Sequence, residues 1–419
     1  MMKEAKKYRQ EILEIRRYLH KNPEVSQKEV MTVKYICEKL KEYGIDFVEV
    51  KNGGILGFIG AGCESKTVML RADIDALPVL ESQYNIGGQD KKCVSDIGGV
   101  SHVCGHDAHT AMLLAAGKIL KVNENLINGR VVLFFERAEE AGGNILYLLR
   151  YLHENKIRID GCMAMHVNGK LETGKISISR GSINAGGFGF EVMIKGRGGH
   201  GSAPSLANNP IDCFVELYDS INMIPVKYIG VGETCTFSIG TVNAGTKKNI
   251  IPEELIFGGT ARFFEHSTGI KFKNEFLRIL ESMTKTYKCS YEIIKAVGPT
   301  LPLVNNDTCV EISKITAADV FGSRNVISMP PEISSESFSA AQRLYPGIYA
   351  YIGVKNDSLG TGGELHSPEF DIDEEALCLG AAFEAKFAVD FLNSKREINF
   401  DGYNGTPDEL YNEICYKVD

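Results

Sequence analysis

Features that would assign the chain to several common classes of protein are missing from the sequence. The most apolar stretch, residues 111–120, is shorter than the roughly 18 apolar residues of a membrane-spanning helix and contains Lys118. The first fifteen residues contain no apolar core of a signal peptide. The net charge of −8 provides no excess of basic residues for binding nucleic acid or an anionic membrane surface. We therefore expect neither a membrane nor a nucleic acid as a partner.

Cysteine pairs and several catalytic motifs are also missing. The eleven cysteines are an odd number and include no CxxC pair, which indicates reduced thiols in a cytoplasmic protein rather than a disulfide framework. The sequence contains no GxxxxGKS/T, HExxH or GxSxG motif, which argues against a P-loop nucleotidase, a helical zinc protease and a serine hydrolase. A hydrophobic fraction of 44% and a charged fraction of 24% are those of an ordinary globular protein.

What the sequence does contain is an alternation of apolar strands and helices. Continuous apolar runs at 67–73, 130–136 and 162–167 predict strands, and helical spacing of apolar residues predicts helices at 107–121 and 144–153. Strands without polar alternation, separated by helices, are typical of a largely parallel sheet that is covered on both faces. The sequence therefore predicts an α/β fold.

Two helices are predicted ahead of this alternation. Ser26 and Glu29 have the spacing of a capping box and predict the start of the second helix, which Gly44 ends. In such a box the two side chains satisfy backbone N–H groups at the helix terminus.

The pattern changes between residues 186 and 297. The order strand-helix-strand-strand-helix-strand over this segment predicts a ferredoxin-like βαββαβ domain, and a length of roughly 110 residues suits one inserted domain. After residue 297 the alternation of apolar strands and helices resumes. We therefore predict a discontinuous α/β domain formed by residues 1–185 and 298–393, an inserted domain at 186–297, and a polar tail at 394–419.

Polar side chains collect where the strands of the α/β domain end. Asp73 and Asp75 follow one predicted strand, Glu139 and Glu140 follow the next, and His166 belongs to a third. Ligands of open α/β sheets bind beyond the carboxyl ends of the strands, so these side chains are expected on one rim. Taken singly, each fits equally well a turn, a solvated loop or a structural histidine.

A loop between the first two of these strands is richer in such groups. His102, Cys104, His106 and His109 lie within eight residues, and this loop holds three of the chain's nine histidines. Thiolate, imidazole and carboxylate groups are the ligands of zinc-like metals, so the loop and the strand ends together predict a metal site. A Cys104 nucleophile activated by a neighbouring histidine is an alternative, but it leaves the carboxylates unexplained.

Seven segments, in this order, resemble the metal-dependent N-acyl-amino-acid amidohydrolases. They are RADIDALP (71–78), HVCGHDAHTAMLLAAG (102–117), AEE (138–140), MHV (165–167), GRGGHGSAP (196–204), NIIP (249–252) and LHSPEF (365–370). That family includes hippurate hydrolase and indole-acetyl-amino-acid hydrolases, with aminoacylases and carboxypeptidase metallopeptidases as more distant relatives. The resemblance extends from about residue 8 to 392. It implies a catalytic α/β domain that holds two metals and is interrupted by a ferredoxin-like lid, through which a homodimer or a dimer of dimers forms.

The resemblance also implies roles for single residues. Two divalent cations per subunit, zinc or manganese with cobalt or nickel as alternatives, would be bound by Cys104, His106, Glu140, His166 and His366. Within the catalytic set, Glu139 is implied as the general base and Asp75 as the aspartate that orients a ligand. Asp73 occupies a position at which many relatives have a metal-binding histidine. On the lid, His200, Asn249 and Arg262 resemble the groups that bind the substrate's carboxylate and scissile carbonyl, the first two reaching the site from the partner subunit.

The chain departs from the family pattern at three places. The usual FQPAEE is FERAEE here, with Glu136 and Arg137 in place of Gln and Pro. The second histidine that usually follows GGH is replaced by Ser205, and Ser337 stands where a late loop usually has Asp before Phe338. None of these changes removes an implied metal ligand, and all of them lie on the substrate side.

We expect the chain to hydrolyse the amide bond of an N-acyl-amino acid, or of a similar small amide that bears a carboxylate, in the cytoplasm. A dipeptidase or carboxypeptidase of the same fold is an alternative, since only the substrate pocket separates the two. A non-catalytic binding protein is a third hypothesis, which predicts a missing base or ligand, whereas all are present. A purely structural zinc site is disfavoured because such sites prefer four closed Cys or His ligands.

Overall fold

The computed structural model describes residues 1–60 and 66–414. The last five residues of the predicted tail, 415–419, therefore lie outside the described residues. The chain divides into two units. The first consists of Met1–Ile183, Val304–Pro330 and Ser337–Asp408, and the second of Asn184–Leu303, Pro331–Glu336 and the segment from Glu409 onward.

The described helices and strands follow one another in this order along the chain. The helices are α1 (Met2–Lys7), α2 (Arg9–Lys21), α3 (Val30–Glu42), α4 (His106–Val122), α5 (Ile145–Glu154), α6 (Pro210–Asn222), α7 (Ile224–Lys227), α8 (His266–Thr286), α9 (Asp307–Phe321), α10 (Ser339–Leu344), α11 (Glu375–Asn393) and α12 (Pro407–Ile414). The strands are β1 (Asp46–Val50), β2 (Gly54–Gly60), β3 (Thr67–Asp73), β4 (Arg130–Glu136), β5 (Gly161–Glu172), β6 (Ile176–Ser177), β7 (Gly181–Asn184), β8 (Gly186–Lys195), β9 (Gly199–His200), β10 (Cys235–Ala244), β11 (Ile250–Ile251), β12 (Glu254–Phe263), β13 (Ser290–Val297), β14 (Leu303–Asn305), β15 (Val326–Ile327) and β16 (Gly347–Lys355).

The first unit is built on a sheet in which eight of the described strands have the order β1-β2-β4-β3-β5-β16-β6-β15. The central strands β4, β3, β5 and β16 run parallel to their neighbours within this group. Outside it, β2 is antiparallel to β4, and β6 is antiparallel to β16. The predicted α/β fold with a largely parallel sheet is confirmed. Strands β3 and β4 are buried almost throughout, as their unbroken apolar sequences require.

Two long helices, α4 and α11, form the core of this unit with the sheet. Both are apolar on nearly every side, and a helix of that kind has to be buried. Three phenylalanines of α11, Phe383, Phe387 and Phe391, contact one another in sequence along the helix. The carboxyl ends of β3 and β4 and the first turn of α4 are therefore carried by a densely packed frame. Among the described helices, none combines the length and the apolar character needed to cross a lipid bilayer.

The second unit contains an antiparallel sheet whose described strands have the order β10-β12-β8-β13. Numbered along the chain, the strands of this sheet stand in the order 2-3-1-4, as in a ferredoxin-like βαββαβ unit. The predicted fold of the inserted domain is thus confirmed. Its core is rich in phenylalanine, and Phe188, Phe190, Phe272 and Phe276 pack against one another between the sheet and its helices.

The capping box predicted at Ser26 and Glu29 is wrong. Helix α3 begins directly after Glu29, and neither Ser26 nor Glu29 caps it. The Glu24 carboxylate accepts hydrogen bonds from the N–H groups of Met31 (3.1 Å) and Thr32 (2.8 Å) in its first turn instead. The Glu29 carboxylate instead accepts hydrogen bonds from the Ala138 N–H (2.8 Å) and from Arg137 Nε (2.9 Å). Ser26 Oγ donates to Asp75 Oδ2 (2.7 Å). Both side chains are used by segments far along the chain, which spacing within one helix cannot reveal.

The polar tail that follows α11 folds back onto the first unit. The Asp401 carbonyl accepts a hydrogen bond from Arg343 Nη1 (2.7 Å), and the Tyr403 N–H donates to the Arg343 carbonyl (2.9 Å). Asp408 forms an ion pair with Arg150 of α5. These contacts attach the tail to α10 and α5.

One buried carboxyl group makes stability dependent on pH. Glu384 of α11 is buried, its Oε2 has no hydrogen-bond partner among the described residues, and burial raises its pKa well above the ordinary value. The native state therefore keeps a proton that the unfolded chain releases above about pH 4.3. Below that pH this group does not change the free energy of unfolding. Above it, the free energy of unfolding falls as the pH rises towards the native pKa.

We expect Glu384→Gln, which is neutral at every pH, to gain stability relative to the wild type as the pH rises. Between the pKa values of the unfolded and native states, the free energy of unfolding of the variant should rise relative to that of the wild type by up to about 1.4 kcal/mol for each pH unit. Urea unfolding of both proteins from pH 5 to pH 8 measures it, with the exposed Glu154→Gln as the control. A stability difference that does not change with pH would contradict this prediction.

Candidate metal centre

The turn formed by Cys104, Gly105 and His106 places two of the predicted metal ligands at the start of α4. Gly105 has a φ of 87°, which glycine adopts without strain. A Cβ atom at this position would lie 2.4 Å from Val167 Cγ2, so a larger residue would displace β5. The turn is thereby packed against the strand that carries His166.

The ring of His106 is oriented by the carboxylate of Asp75. Its Nδ1 lies 3.1 Å from Asp75 Oδ1, while Asp75 Oδ2 accepts hydrogen bonds from Ser26 Oγ (2.7 Å) and from the Glu140 N–H (3.1 Å). His106 Nε2 is buried and has no hydrogen-bond partner among the described residues. A carboxylate behind one ring nitrogen, with the other nitrogen unused, is the arrangement of a histidine that ligates a metal. The residues present therefore fit a metal ion.

The five implied ligands lie in one cluster. Ligand atoms of Cys104, His106 and Glu140 are all within 4.8 Å of one another. Glu140 Oε1 lies 3.1 Å from His366 Nε2, and Cys104 Sγ lies 3.5 Å from His166 Nε2. His166 Nδ1 donates to the carbonyl of the next residue (2.7 Å), which leaves Nε2 on the side of Cys104. A thiol, imidazoles and a carboxylate in this proximity make up the donor set of a transition-metal site.

Burial and neighbouring charges shift the pKa values of three residues in this cluster. Burial lowers the pKa of His106, but the charge of Asp73, the neighbouring Cys104 and the hydrogen bond to Asp75 together outweigh it, so the pKa lies well above its ordinary value. Burial raises the pKa of the Cys104 thiol. Burial also lowers the pKa of His166 well below the ordinary range, which keeps that ring neutral. Because a metal ligand has to be deprotonated, binding of a cation by Cys104 and His106 would be coupled to release of their protons.

The two histidines that flank Cys104 and His106 in the sequence, His102 and His109, are also buried, and His109 lies within 4.8 Å of ligand atoms of Asp73, His106 and His166. His109 Nδ1 lies 2.6 Å from Asp73 Oδ1, and its Nε2 accepts a hydrogen bond from the Val167 N–H (2.9 Å), so both nitrogens are engaged. The other oxygen of Asp73 accepts a hydrogen bond from Arg71 (2.7 Å). Burial lowers the pKa of His102 to about 4, so this ring is neutral at physiological pH.

A group of buried charges behind the loop was not indicated by the sequence analysis. Asp107 pairs with Arg16 Nε (2.8 Å) and with His20 Nδ1 (2.8 Å), and His20 Nε2 lies 3.0 Å from Glu81. Asp107 directly follows His106, so these contacts fix the first turn of α4. The signal in the sequence was the aspartate of CGHD, whose two partners both lie in α2.

Glu139 and Glu140 are adjacent but have different partners. Ala138, which precedes them, has a φ of 56°, and this turn separates the directions of the two side chains. Glu139 Oε1 accepts a hydrogen bond from the Ser337 N–H (3.1 Å), whereas Glu140 Oε1 lies 3.1 Å from His366 Nε2. The Ser337 contact crosses 198 positions of sequence, which is why local analysis did not find it.

The three implied substrate-binding residues lie in the second unit. His200 ends β9, which pairs with β11, and the Gly201 N–H donates to the Asn249 carbonyl (2.9 Å). His200 and Asn249 are therefore close neighbours. Arg262 belongs to β12, in the four-stranded sheet, where it is partly buried and burial lowers its pKa. Its Nη1 donates to Thr260 Oγ1 (2.5 Å).

A parallel α/β sheet whose strand ends bring together a thiol, imidazoles and paired glutamates is characteristic of a metal-dependent hydrolase. Comparison with known proteins defines the family. Residues 69–390 match the sequence model of peptidase family M20/M25/M40. The protein therefore belongs to that family.

Relatives with established names cover nearly the whole chain. A thermostable carboxypeptidase of Saccharolobus solfataricus is 34% identical over 91% of this chain and 95% of its own, and an IAA-amino acid hydrolase of Arabidopsis thaliana is 32% identical over 90% and 85%. Hippurate hydrolase of Campylobacter jejuni is 30% identical over 91% and 97%. Among solved structures, a Bacillus subtilis protein described as a dinuclear metal binding peptidase from the M20 family has a TM-score of 0.75 at 26% identity, covering 92% of this chain and 99% of its own. The resemblance inferred from the sequence motifs is confirmed. The protein is a metallo-amidohydrolase, and divalent metal ions are its cofactors.

We expect Asp75→Asn to weaken metal binding about 10–100-fold, because it removes the charge that orients His106 and stabilises a bound cation. Titration of the metal-stripped protein with Zn²⁺ or Mn²⁺, in competition with a chelating dye, measures the change. Asp160→Asn is a matched control, since Asp160 accepts a hydrogen bond from Thr67 at the opposite end of β3. Equal affinities of the Asp75 variant and the wild type would show that this carboxylate does not support the metal.

Proposed function

We propose that the protein hydrolyses the amide bond of an N-acyl-amino acid or of a similar small amide with a free carboxylate. The observation that carries this proposal is the separation of two adjacent glutamates. Glu140 faces the ligand cluster, while Glu139 is held by a backbone N–H beside it. A hydrolase needs one carboxylate as a ligand and another that remains free to transfer protons.

The proposed metal ligands are Cys104, His106, Glu140, His166 and His366, which would hold two divalent cations. Zinc suits the thiolate and imidazoles, and manganese suits the carboxylate, with cobalt or nickel as alternatives. When bound, such ions polarise the scissile carbonyl and lower the pKa of water from 15.7 towards about 7. A reducing cytoplasm suits this site, since the proposed ligand Cys104 has to remain a free thiol.

Glu139 is proposed as the general base. It would accept a proton from the attacking water and deliver it to the nitrogen of the departing amine, so that one carboxylate serves both steps. Its place directly before Glu140 keeps it near the cluster, and the Ser337 N–H holds one of its oxygens.

The lid residues are proposed to bind the substrate. Arg262 supplies a positive charge for the substrate's carboxylate, and His200 with Asn249 supplies hydrogen bonds to the carbonyl oxygen as negative charge develops on it. By the family resemblance, we propose that the lid forms a homodimer, or a dimer of dimers, and that His200 acts in the site of the partner subunit.

A carboxypeptidase or dipeptidase activity is the second candidate. It is favoured by the carboxypeptidase relatives of Saccharolobus solfataricus, which are 34% and 35% identical to this chain. The same residues would act on the same type of bond, since a peptide with a free carboxylate is also an amide of an amino acid. Only the group on the acyl side differs.

We expect the metal-loaded enzyme to hydrolyse N-acetyl- or N-benzoyl-amino acids faster than dipeptides or carboxypeptidase substrates. Glu139→Gln should lower kcat by about 10²–10⁴-fold with its metal content intact, because a proton acceptor is lost. Glu140→Gln should lose metal as well as activity. Amine release and elemental analysis measure these two effects.

Glu29 is buried and contacts the turn after β4 through Arg137 and the Ala138 N–H, but it does not belong to the proposed ligand set, so Glu29→Gln controls for loss of a nearby buried charge. No turnover of any acyl-amino acid by fully metal-loaded enzyme would contradict the proposed function. Preference for peptides would favour the second candidate, and equal metal loss in both variants would contradict the division of roles between Glu139 and Glu140.

We expect two inactive variants, His200→Ala and Glu139→Ala, to regain activity when mixed. If His200 acts in the partner's site, a mixed dimer contains one site with both residues intact, which limits recovery to about a quarter of wild-type activity at random exchange of equal amounts. Activity is followed while subunit exchange is monitored by mass spectrometry of differently labelled chains. Exchange without recovery would place His200 in its own chain's site or outside catalysis.

A further inference from the structure

Behind the two glutamates, a buried guanidinium is shared by two carboxylates. Arg71 Nε and Nη2 donate to Glu136 Oε2 (2.8 and 2.7 Å), and Arg71 Nη1 donates to Asp73 Oδ2 (2.7 Å). Arg71 is 2% exposed, and both carboxylates are 0% exposed. Charges buried to this degree have to be paired and hydrogen-bonded, so their relative positions are closely fixed.

Ser337 connects this buried group to Glu139. Its Oγ donates to Glu136 Oε1 (2.7 Å) and accepts a hydrogen bond from Arg71 Nη2 (3.0 Å). Its backbone N–H donates to Glu139 Oε1 (3.1 Å). Ser337 thus contacts both the buried ion pair and the carboxylate of Glu139, so the position of one depends on the position of the other.

A carboxylate at both 136 and 337 would place two like charges in contact. One guanidinium already faces Glu136 and Asp73, so an aspartate at 337 would add a third carboxylate within hydrogen-bond distance of Glu136. Like charges at that distance, away from water, repel strongly. Both positions depart from the family pattern, and they do so in opposite directions. A carboxylate is gained at Glu136, and one is lost at Ser337.

We propose that Glu136 and Ser337 form an interdependent positioning unit for Glu139, in which the carboxylate at 136 and the uncharged hydroxyl at 337 are required together. This proposal rests on the proposed role of Glu139 as general base. The pair acts by fixing the N–H that holds one oxygen of Glu139, and the turn itself is held from the other side by the Glu29 bonds to Arg137 and Ala138.

The test transfers the carboxylate from one position to the other. Ser337→Asp alone should lower kcat about 10²-fold, the size of loss that a displacement of about 1 Å causes, while KM and metal content stay within a few-fold of wild type. Adding Glu136→Gln should restore most of kcat, because the new aspartate takes over the bond to Arg71. Adding Glu29→Gln instead should restore nothing, since that buried carboxylate does not contact Ser337. Wild-type kcat in Ser337→Asp, loss of its metal, or equal recovery with either second change would overturn the proposal.

A measurement without substrate tests the same link. Amide hydrogen exchange at position 337 should be slow in the wild type and about tenfold or more faster in Glu139→Ala, because the acceptor is a charged group. The Gln342 amide, which donates to the Phe338 carbonyl inside α10 (3.0 Å), serves as the internal control. If position 337 exchanges at the same rate in both proteins, the positioning unit does not exist. If exchange responds but no amide is hydrolysed, the proposed function fails while this link stands.

Discussion

The carboxylate of Asp75 joins three parts of the chain that lie far apart in sequence. It follows β3 directly and contacts the loop before α3 through Ser26, the start of α4 through His106, and the end of the β4 turn through Glu140. A buried carboxylate has to be met by hydrogen bonds, so all three segments have to reach it together. Because two of the three contacts come from proposed metal ligands, folding alone already brings these ligands to one place.

The features that could be predicted from the sequence are those that depend on local pattern. The apolar runs at 130–136 and 162–167 became β4 and β5, and the order of elements after residue 186 became a ferredoxin-like sheet. The strand-end rule also predicted a common rim for Asp75 and His166. What could not be predicted is which buried charges pair, since those partners are separated by tens to hundreds of residues. Ser26 and Glu29 show the difficulty. Their spacing suits a helix cap, but their side chains form hydrogen bonds with groups far along the chain.

Two buried arginines pair with aspartates beside the proposed metal ligands, and one of those proposed ligands is exposed to solvent. Arg16 is bound by Asp107 on one side, and Arg71 is bound by Asp73 on the other. Buried ion pairs contribute little net stability, but they fix geometry. His366 is different, because its side chain is 51% exposed and its φ is 67°. Its N–H donates to the Val103 carbonyl (2.9 Å), which holds this unusual backbone conformation beside the buried ligands.

The turn after β4 also restricts how many residues can separate this strand from the two glutamates. Surface loops usually accept inserted or deleted residues, but here the backbone reverses at Ala138 and sends Glu139 and Glu140 to different partners. A shift of one position would bring the wrong glutamate to each place. The spacing between β4 and these residues is therefore as restricted as their identity. A relative that keeps both glutamates but gains or loses one residue ahead of them would lose the ligand and the proposed base in a single step.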